Sequence, residues 1–492
     1  MAVTTENLRL ILGLKVRSLR QARGGSLTDL AERAGVSVSY LSEIENGRKF
    51  PKPEVLIRLA EELGVSYEEL VSPQLSGELD SLRALVDSEF IKEFPFALFG
   101  LEPSDLLGLV SDDPVRAAAF VQTFLEIGRQ YDMQVEQFLF AALRSYQGLH
   151  GNWFPELEAA AAAFRRERRL TGGDDLEAGL RRILEQEHGY VIDQETLGRR
   201  PELAALRSVH VPGDPPRLLV HGALRGSQRA FLYGRELGFL TLGLTERAET
   251  GSWVRVESFE QVLNNFKASY FAGALLIDAD ELVPALEGFL GQPRWNPDGY
   301  RGLMKQFHAT AEMFAYRLTQ VLPGRLGLRK LYFMRFHNDG SDRYELNKVL
   351  NMSGIPVPRG VGVAEHYCRR WVTIRLLREA QGERRDSPTA WPRIAGERAR
   401  FVREEVEFFI MSSARPLRMQ ETKNTCVTLG FLMDDTFRRT VKFWDDPAVP
   451  RHTVGLTCER CPIEDCEVRA APALVLEQEE RQARQLAALA AL

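Results

Sequence analysis

The sequence predicts a mostly α-helical chain with an α+β C-terminal part. Three observations lead there. Residues 6–71 break into short apolar-periodic segments, each bounded by capping Ser, Pro or Gly. From 78 to about 170 the pattern stays helical and shows no strand signal. Strand-like runs such as GYVIDQE and RLLVHGAL appear only after residue 188. A chain of 492 residues suggests about three domains. Its 44% apolar and 27% charged residues exclude disordered and collagen-like classes. A net charge of −5 excludes a wholly basic coat, so any nucleic-acid surface must be local. No apolar run reaches the roughly 18–20 residues needed to span a bilayer. The amphipathic start MAVTTENLRLILGLKVRSLRQ lacks the layout of a signal peptide, so the expected location is cytoplasmic, with no membrane partner.

The first block, 1–72, reads as five helices. Leu8, Leu10, Leu12, Val16 and Leu19 line a first helix, which Gly24-Gly25 ends. Ser26 caps SLTDLAERAG, stopped by Gly35; Ser37 opens SVSYLSEIENG, stopped by Gly47. PKPEVLIRLAEELG begins with proline and closes with glycine, and Pro73 and Ser76-Gly77 mark the exit. The second and third helices, joined by Gly35-Val36-Ser37, have the layout that puts a recognition helix into a DNA major groove. Ala31, Val36, Leu41 and Ile44 have the spacing to pack the pair. Thr28, Ser37, Val38, Ser39, Tyr40 and Ser42 are the candidate DNA-contacting residues, with Arg48 and Lys49 placed to meet phosphate. A helical protein-interaction domain is the competing reading. LTDLAERAGVSVSYLSEIENGRKFPKPEVLIRLAEELGV resembles the XRE (Cro/C1-type) helix-turn-helix family, except that Leu27 stands where the family often has glutamine. The resemblance implies a double-stranded DNA operator. One recognition helix covers only about half a helical turn, so a homodimer reading two half-sites is expected.

Residues 73–172 read as a helical connector or dimerisation region, including FIKEFPFALFGLEPSDLLGLV and LEAAAAAFRRERRL. Residues 173–300 turn to α+β, with RAFLYGRELGFL (229–240) on a helix after RLLVHGAL. That helix resembles the HExxH helix of ImmA/IrrE-type (DUF955) peptidases, whose two His at i and i+4 bind zinc beside a general-base Glu. Here Arg235 and Phe239 replace the two His and only Glu236 survives. FKASYFAGALLI resembles the downstream helix that supplies the third ligand, and Lys267 stands there. A guanidinium, a phenyl ring and an ammonium do not coordinate zinc. The resemblance therefore implies a degenerate, non-catalytic domain. Arg235 and Lys267 together would suit a carboxylate, a phosphate or a CoA ester; alternatively Arg235 pairs with an acid and fills the old cavity.

Residues 301–470 carry all five Cys, and LRKLYFMRFHNDGSDRYEL reads as a hairpin around Asn338-Asp339-Gly340. Cys458, Cys461 and Cys466 form a C-x2-C-x4-C run that aims thiolates at one centre, with Cys368 or Cys426 as the fourth. Spacing leaves zinc and a [4Fe–4S] cluster as rivals. VGLTCERCPIEDCEVRAAPAL resembles the C-terminal domain of the short-chain fatty-acyl regulators of the XRE family. Their upstream C-P-L-W-like segment matches Cys368-Arg369-Arg370-Trp371, which selects Cys368 and leaves out Cys426. This resemblance implies a [4Fe–4S] cluster, with structural zinc as the alternative, and an acyl-CoA-type effector. Residues 471–492 form a last amphipathic helix. The function expected is a DNA-binding regulator sensing a short-chain acyl-CoA. A regulator using the cluster alone and a zinc peptidase are the other classes.

Overall fold

The computed structural model describes residues 5–72, 135–170, 172–173, 175–247, 258–354, 365–380, 392–417 and 423–491. Most of the expected connector, including FIKEFPFALFGLEPSDLLGLV, lies outside the described residues. The chain folds as two compact units, Met1–Tyr146 with Glu257–Phe259, and Gln147–Val256 with Glu260–Leu492.

In the first unit α1 (Thr5–Ala22), α2 (Leu27–Arg33), α3 (Val38–Glu45), α4 (Pro53–Glu62) and α5 (Tyr67–Val71) follow the caps in the sequence. Ser26 and Asp29 form a reciprocal capping box on α2, and the Ser37 and Ser66 hydroxyls accept the N–H groups of Tyr40 and Glu69. Leu12, Val16, Leu30, Ala31, Leu41, Ile44, Leu56 and Leu59 make one core. The approach of α1 to α3 requires glycine at 13, where a Cβ would lie 2.5 Å from the Ile44 carbonyl oxygen. Glu45 is buried because Arg20 grips both its oxygens, at 2.7 and 2.9 Å. The helix α6 (Val135–Leu149) completes the chain to the second unit.

The second unit begins with α7 (Pro155–Glu167) and α8 (Asp175–Glu187). A small sheet follows, from β1 (Val191–Asp193), α9 (Thr196–Arg199), β2 (Ser208–Val211) and β3 (Arg217–Val220), in the order β1-β3-β2. Its β2 has no sequence signal because SVHV is too short to show alternation. Then come α10 (Gly226–Thr241), α11 (Phe259–Leu276), α12 (Ala279–Leu290), α13 (Pro297–Gln306) and α14 (Ala311–Arg325).

The remaining elements are β4 (Leu331–Asn338), β5 (Glu345–Asn351), α15 (Val372–Glu379), β6 (Arg393–Phe401), β7 (Val406–Pro416), β8 (Asn424–Leu432), α16 (Asp435–Thr440), β9 (Arg451–Val454) and α17 (Leu474–Ala490). The strands form one sheet in the order β5-β4-β8-β7-β6-β9, antiparallel except for the β6–β9 pair. The expected hairpin is β4–β5, with His337 opposite Glu345.

Side chains alternate across this sheet. Phe333, Phe409, Met411, Val427 and Leu429 face a core built with α12, α13 and α14. Tyr332, Met334, Phe408, Ile410 and Cys426 face a second core with α15. Strands β7 and β8 are covered on both faces, which explains their near-continuous apolar runs FFIM and TCVTLGFL. The first of these cores runs from Ile277 to Val449, so it crosses residue 300, where the sequence suggested a domain boundary. That boundary rested on a change of pattern, and a helical layer packed on a sheet changes pattern without ending a domain. No residue of α17 is buried. Among the described residues, no helix is long and apolar enough to cross a membrane.

Candidate functional site

The first candidate is the exposed end of α3. The turn before it is set by Gly35 at φ +63, by the Gly35 N–H donating to Glu32 O and by the Val36 N–H donating to Ala31 O at 2.9 Å. Leu41 and Ile44 are fully buried and fix which face turns outward. That face carries Val38, 41% exposed, and Ser39, with the Ser37 hydroxyl engaged as the helix cap. Thr28 is exposed at the start of α2, Ser42 is half-buried, and Ser42 Oγ accepts from Asn46 Nδ2 at 3.3 Å. Tyr40 is half-buried, with Lys49 Nζ 5.7 Å from its ring centroid. Lys49 also pairs with Glu43 at 2.7 Å, so a phosphate would have to replace a solvent-exposed ion pair, a cheap exchange. Arg48 lies exposed after α3. Sequence reasoning missed Lys15, which donates to the carbonyls of Glu69 and Ser72 and closes the C-terminal end of α5.

The second candidate is α10. Its residues from Leu232 to Phe239 are all buried, and Gly234 and Gly238 let it pack on α11 with Ala268 and Ala272 in the contact. Glu236 is fully buried, and Nη2 of Arg247 donates to both its oxygens, at 2.7 and 2.9 Å. The Arg247 guanidinium lies 4.2 Å from the Phe239 ring centroid, and the Tyr190 hydroxyl donates to Glu236 at 3.5 Å. Arg235 donates from Nη2 to the Ser208 hydroxyl at 3.2 Å, and its Nε has no partner among the described residues. Burial lowers its affinity for a proton, as do the charges of Arg247 and Arg207, with Glu236 opposing them. Lys267 lies half-buried on α11. Arg247 was invisible to sequence reasoning because it lies eleven residues from Glu236, beyond any helical spacing.

The third candidate is the cysteine loop. Tyr367 and Thr457 form a β-bridge, and the Cys368 N–H donates to Leu456 O while the Cys458 N–H donates to His366 O. The fold thereby lays the Cys368 segment beside the C-x2-C turn. Burial pushes the Cys368 thiol up to about 11, helped by the neighbouring Cys461 and Cys458 thiols. Burial also raises Cys461, which has Cys466 and Cys458 as charged neighbours. Cys368, Cys458, Cys461 and Cys466 are free thiols, none in a disulfide.

Arg469 binds the loop together, donating to the carbonyls of Cys458, Cys461 and Ile463, and the Ala470 N–H donates to Cys458 Sγ at 3.4 Å. Gly455 is needed beside them, since a Cβ there would meet Cys461 Sγ at 2.9 Å. Among the described residues, no three His, Cys, Asp or Glu side chains are arranged as ligands of a metal ion. The expectation of one closed coordination sphere is thus not what the geometry displays. The donor chemistry does suit a thiolate-held centre: a soft ligand set, an N–H bond to sulfur and a guanidinium to offset negative charge. Cys426 lies elsewhere, fully buried on β8 opposite Phe336 and Ala414, and burial pushes its thiol up to about 12.

Residues 16–70 match the helix-turn-helix family HTH_3. Over 67 residues the chain is 39% identical to the uncharacterized HTH-type transcriptional regulator y4dJ of Sinorhizobium fredii, covering 14% of this chain and 87% of that protein. It is 32% identical over 124 residues to the propionyl-CoA carboxylase regulator of Cereibacter sphaeroides, covering 25% of this chain and 24% of that one. It is 24% identical over 299 residues to the HTH-type transcriptional regulator RamB of Mycobacterium tuberculosis, covering 56% and 60%. The chain therefore spans less than two thirds of the length of the last two relatives.

Proposed function

Because the chain belongs to the XRE family of helix-turn-helix transcriptional regulators, we propose that it binds DNA sequence-specifically and regulates transcription in response to a short-chain acyl-CoA or related metabolite. The observation that carries the DNA reading is the outer face of α3. Its Ser37 cap and buried Leu41 and Ile44 leave Val38 and Ser39 exposed at the helix N-terminus, the end that enters the major groove. One such helix covers about half a helical turn of DNA, so a homodimer on a two-part operator follows.

The effector class is supported by one relative, the propionyl-CoA carboxylase regulator of Cereibacter sphaeroides. We assign the effector's anionic groups to Arg235, whose buried Nε has no partner among the described residues, and to Lys267. Helix α10 is read as a pseudo-peptidase element: Glu236, the one surviving chemical residue, is engaged by Arg247. Cys368, Cys458, Cys461 and Cys466 would hold a [4Fe–4S] cluster, with structural zinc as the alternative. Such a centre would supply folding free energy and, if iron–sulfur, redox sensitivity.

Fluorescence anisotropy of the full chain on a selected operator, with and without propionyl-CoA, tests the effector reading. A change in operator affinity supports it. Unchanged affinity, with the chain still responsive to oxidant, would favour the redox reading, for which the free thiols of Cys368, Cys458, Cys461 and Cys466 speak.

A further inference from the structure

One end of the large sheet gathers several cationic side chains around Glu312. On the face shared with Phe333 and Val427, His337 of β4 stands opposite Thr425 of β8, and Arg415 of β7 stands opposite the same Thr425. Arg335, two residues from His337 on β4, shares this face and pairs in register with Lys348 of β5. Over this row lies the first turn of α14, which brings Glu312. Its Oε1 accepts from Arg335 Nη1 at 2.6 Å, and its Oε2 is 3.7 Å from Arg207 Nη2. Burial raises the Glu312 carboxyl, but Arg335, Arg207, Lys348 and Arg415 outweigh it and hold it below the usual range. Four cations thus act on Glu312.

Among the described residues, three buried polar atoms of the same row have no partner: Nε of Arg335, Nε2 of His337 and Oγ1 of Thr425. Thr425 is only 4% exposed. Buried donors left unpaired are costly, and here they lie on the strands that carry these cations. The Arg335 and Glu312 side chains keep 18% and 19% exposure and Arg207 keeps 39%, so the row is reachable from solvent. Burial and the Arg335 charge bring His337 down to about 4, with Lys423 and Arg207 adding to the effect and Glu312 opposing it. Burial likewise brings Lys348 to about 8, and its Nζ lies 3.6 Å from the Tyr316 ring centroid.

We propose that this row is a binding site for a small oxyanion, a phosphate or a carboxylate, held by Arg335, Arg415 and the Thr425 hydroxyl and faced by His337. Guanidinium groups and a hydroxyl donor match the geometry of such an anion. A bound anion supplies the negative charge that His337 lacks, so it raises that imidazole and is accompanied by proton uptake below neutral pH. The site is independent of the acyl-CoA reading, which rests on Arg235 and Lys267.

The test is isothermal titration of the full chain with inorganic phosphate and, separately, with succinate, which distinguishes the two anion classes. One-to-one binding of at least one of them is expected. Thr425→Val, which keeps the branched shape, should weaken it about tenfold, and Arg415→Gln by at least as much. Arg235→Met should leave it unchanged, which separates this site from the effector site. Repeating the titration at pH 6 in buffers of different ionisation enthalpy should show proton uptake that His337→Gln abolishes. Failure of both anions to bind, or binding indifferent to Thr425→Val and Arg415→Gln, would overturn the site.

Discussion

Arg247 lies over the ring of Phe239, 4.2 Å from its centroid, while bonding both oxygens of Glu236. A side-chain cation of this chain therefore engages the one acid on α10, beside the Phe239 ring. Two expectations from the sequence meet here. The acid is neutralised by an arginine, but the arginine is Arg247 and not Arg235.

Removing that arginine should be expensive. Arg247→Met leaves Glu236 fully buried with its charge unpaired, and a loss of about 3–5 kcal/mol is expected. Arg247→Met combined with Glu236→Gln should recover most of it, because the buried charge is gone. Urea denaturation of the single and double variants measures this. Equal losses in both would show that the ion pair is not what holds this helix.

The pH dependence of stability has a specific source at Asp193. Its carboxylate accepts from the Thr196 hydroxyl at 2.6 Å and from the N–H groups of Thr196 and Glu195, joining β1 to α9. These bonds, the Thr196 hydroxyl foremost, hold it at about 2 against an ordinary 3.8. A carboxyl depressed on folding contributes fully above the unfolded value and loses that contribution as pH falls through the folded one. The stability gap between the parent chain and Asp193→Ala should therefore narrow by roughly 2 kcal/mol between pH 6 and pH 2. Denaturant titrations at a series of pH values would show it; a gap constant with pH would contradict the assignment.

Gly13→Ala should destabilise the first unit by about 1–3 kcal/mol, because its new methyl carbon would be forced against the Ile44 carbonyl. Ile44 lies on α3, so loss of DNA affinity should accompany the loss of stability. Thermal melting and operator binding measured on the same preparation check the coupling. A fully stable variant would place the α1–α3 approach in doubt.

Replacing Cys368, Cys458, Cys461 or Cys466 with Ser should abolish visible absorbance from anaerobically purified protein and lower its iron or zinc content. Cys426→Ser should leave both unchanged, since Cys426 sits in the sheet with Thr428 and Ser413 as its partners. Metal content indifferent to Cys368→Ser but lost in Cys426→Ser would reverse the choice of fourth ligand.

The N-terminal helices were legible because each is short and bounded by its own cap: Ser26, Ser37 and Pro53 act within one turn of the helix they start. The β4–β5 hairpin was legible for the same local reason, through Asn338-Asp339-Gly340. What stayed hidden depends on residues far apart in sequence. The order β5-β4-β8-β7-β6-β9 pairs strands far apart in sequence, and no local pattern encodes it. The partners of Glu236 and Glu312 come from Arg247, Arg207 and Arg335, which only the tertiary fold brings near. The cysteine run announced itself by spacing, whereas Arg469, which ties its carbonyls together, carries no spacing signal.

The central claim is that the outer face of α3 reads DNA. Selection of binding sites from a random duplex library by the full chain, followed by affinity measurement over a range of salt, tests it directly. Enrichment of a two-part site is expected, with half-sites about one helical turn apart. On that site Ser39→Ala and Tyr40→Ala should lose about 1–3 kcal/mol of discrimination between bases. Arg48→Ala should weaken binding to every sequence and reduce the salt slope by about one. No enriched site, or an affinity and salt slope untouched by Arg48→Ala together with discrimination untouched by Ser39→Ala and Tyr40→Ala, would contradict it.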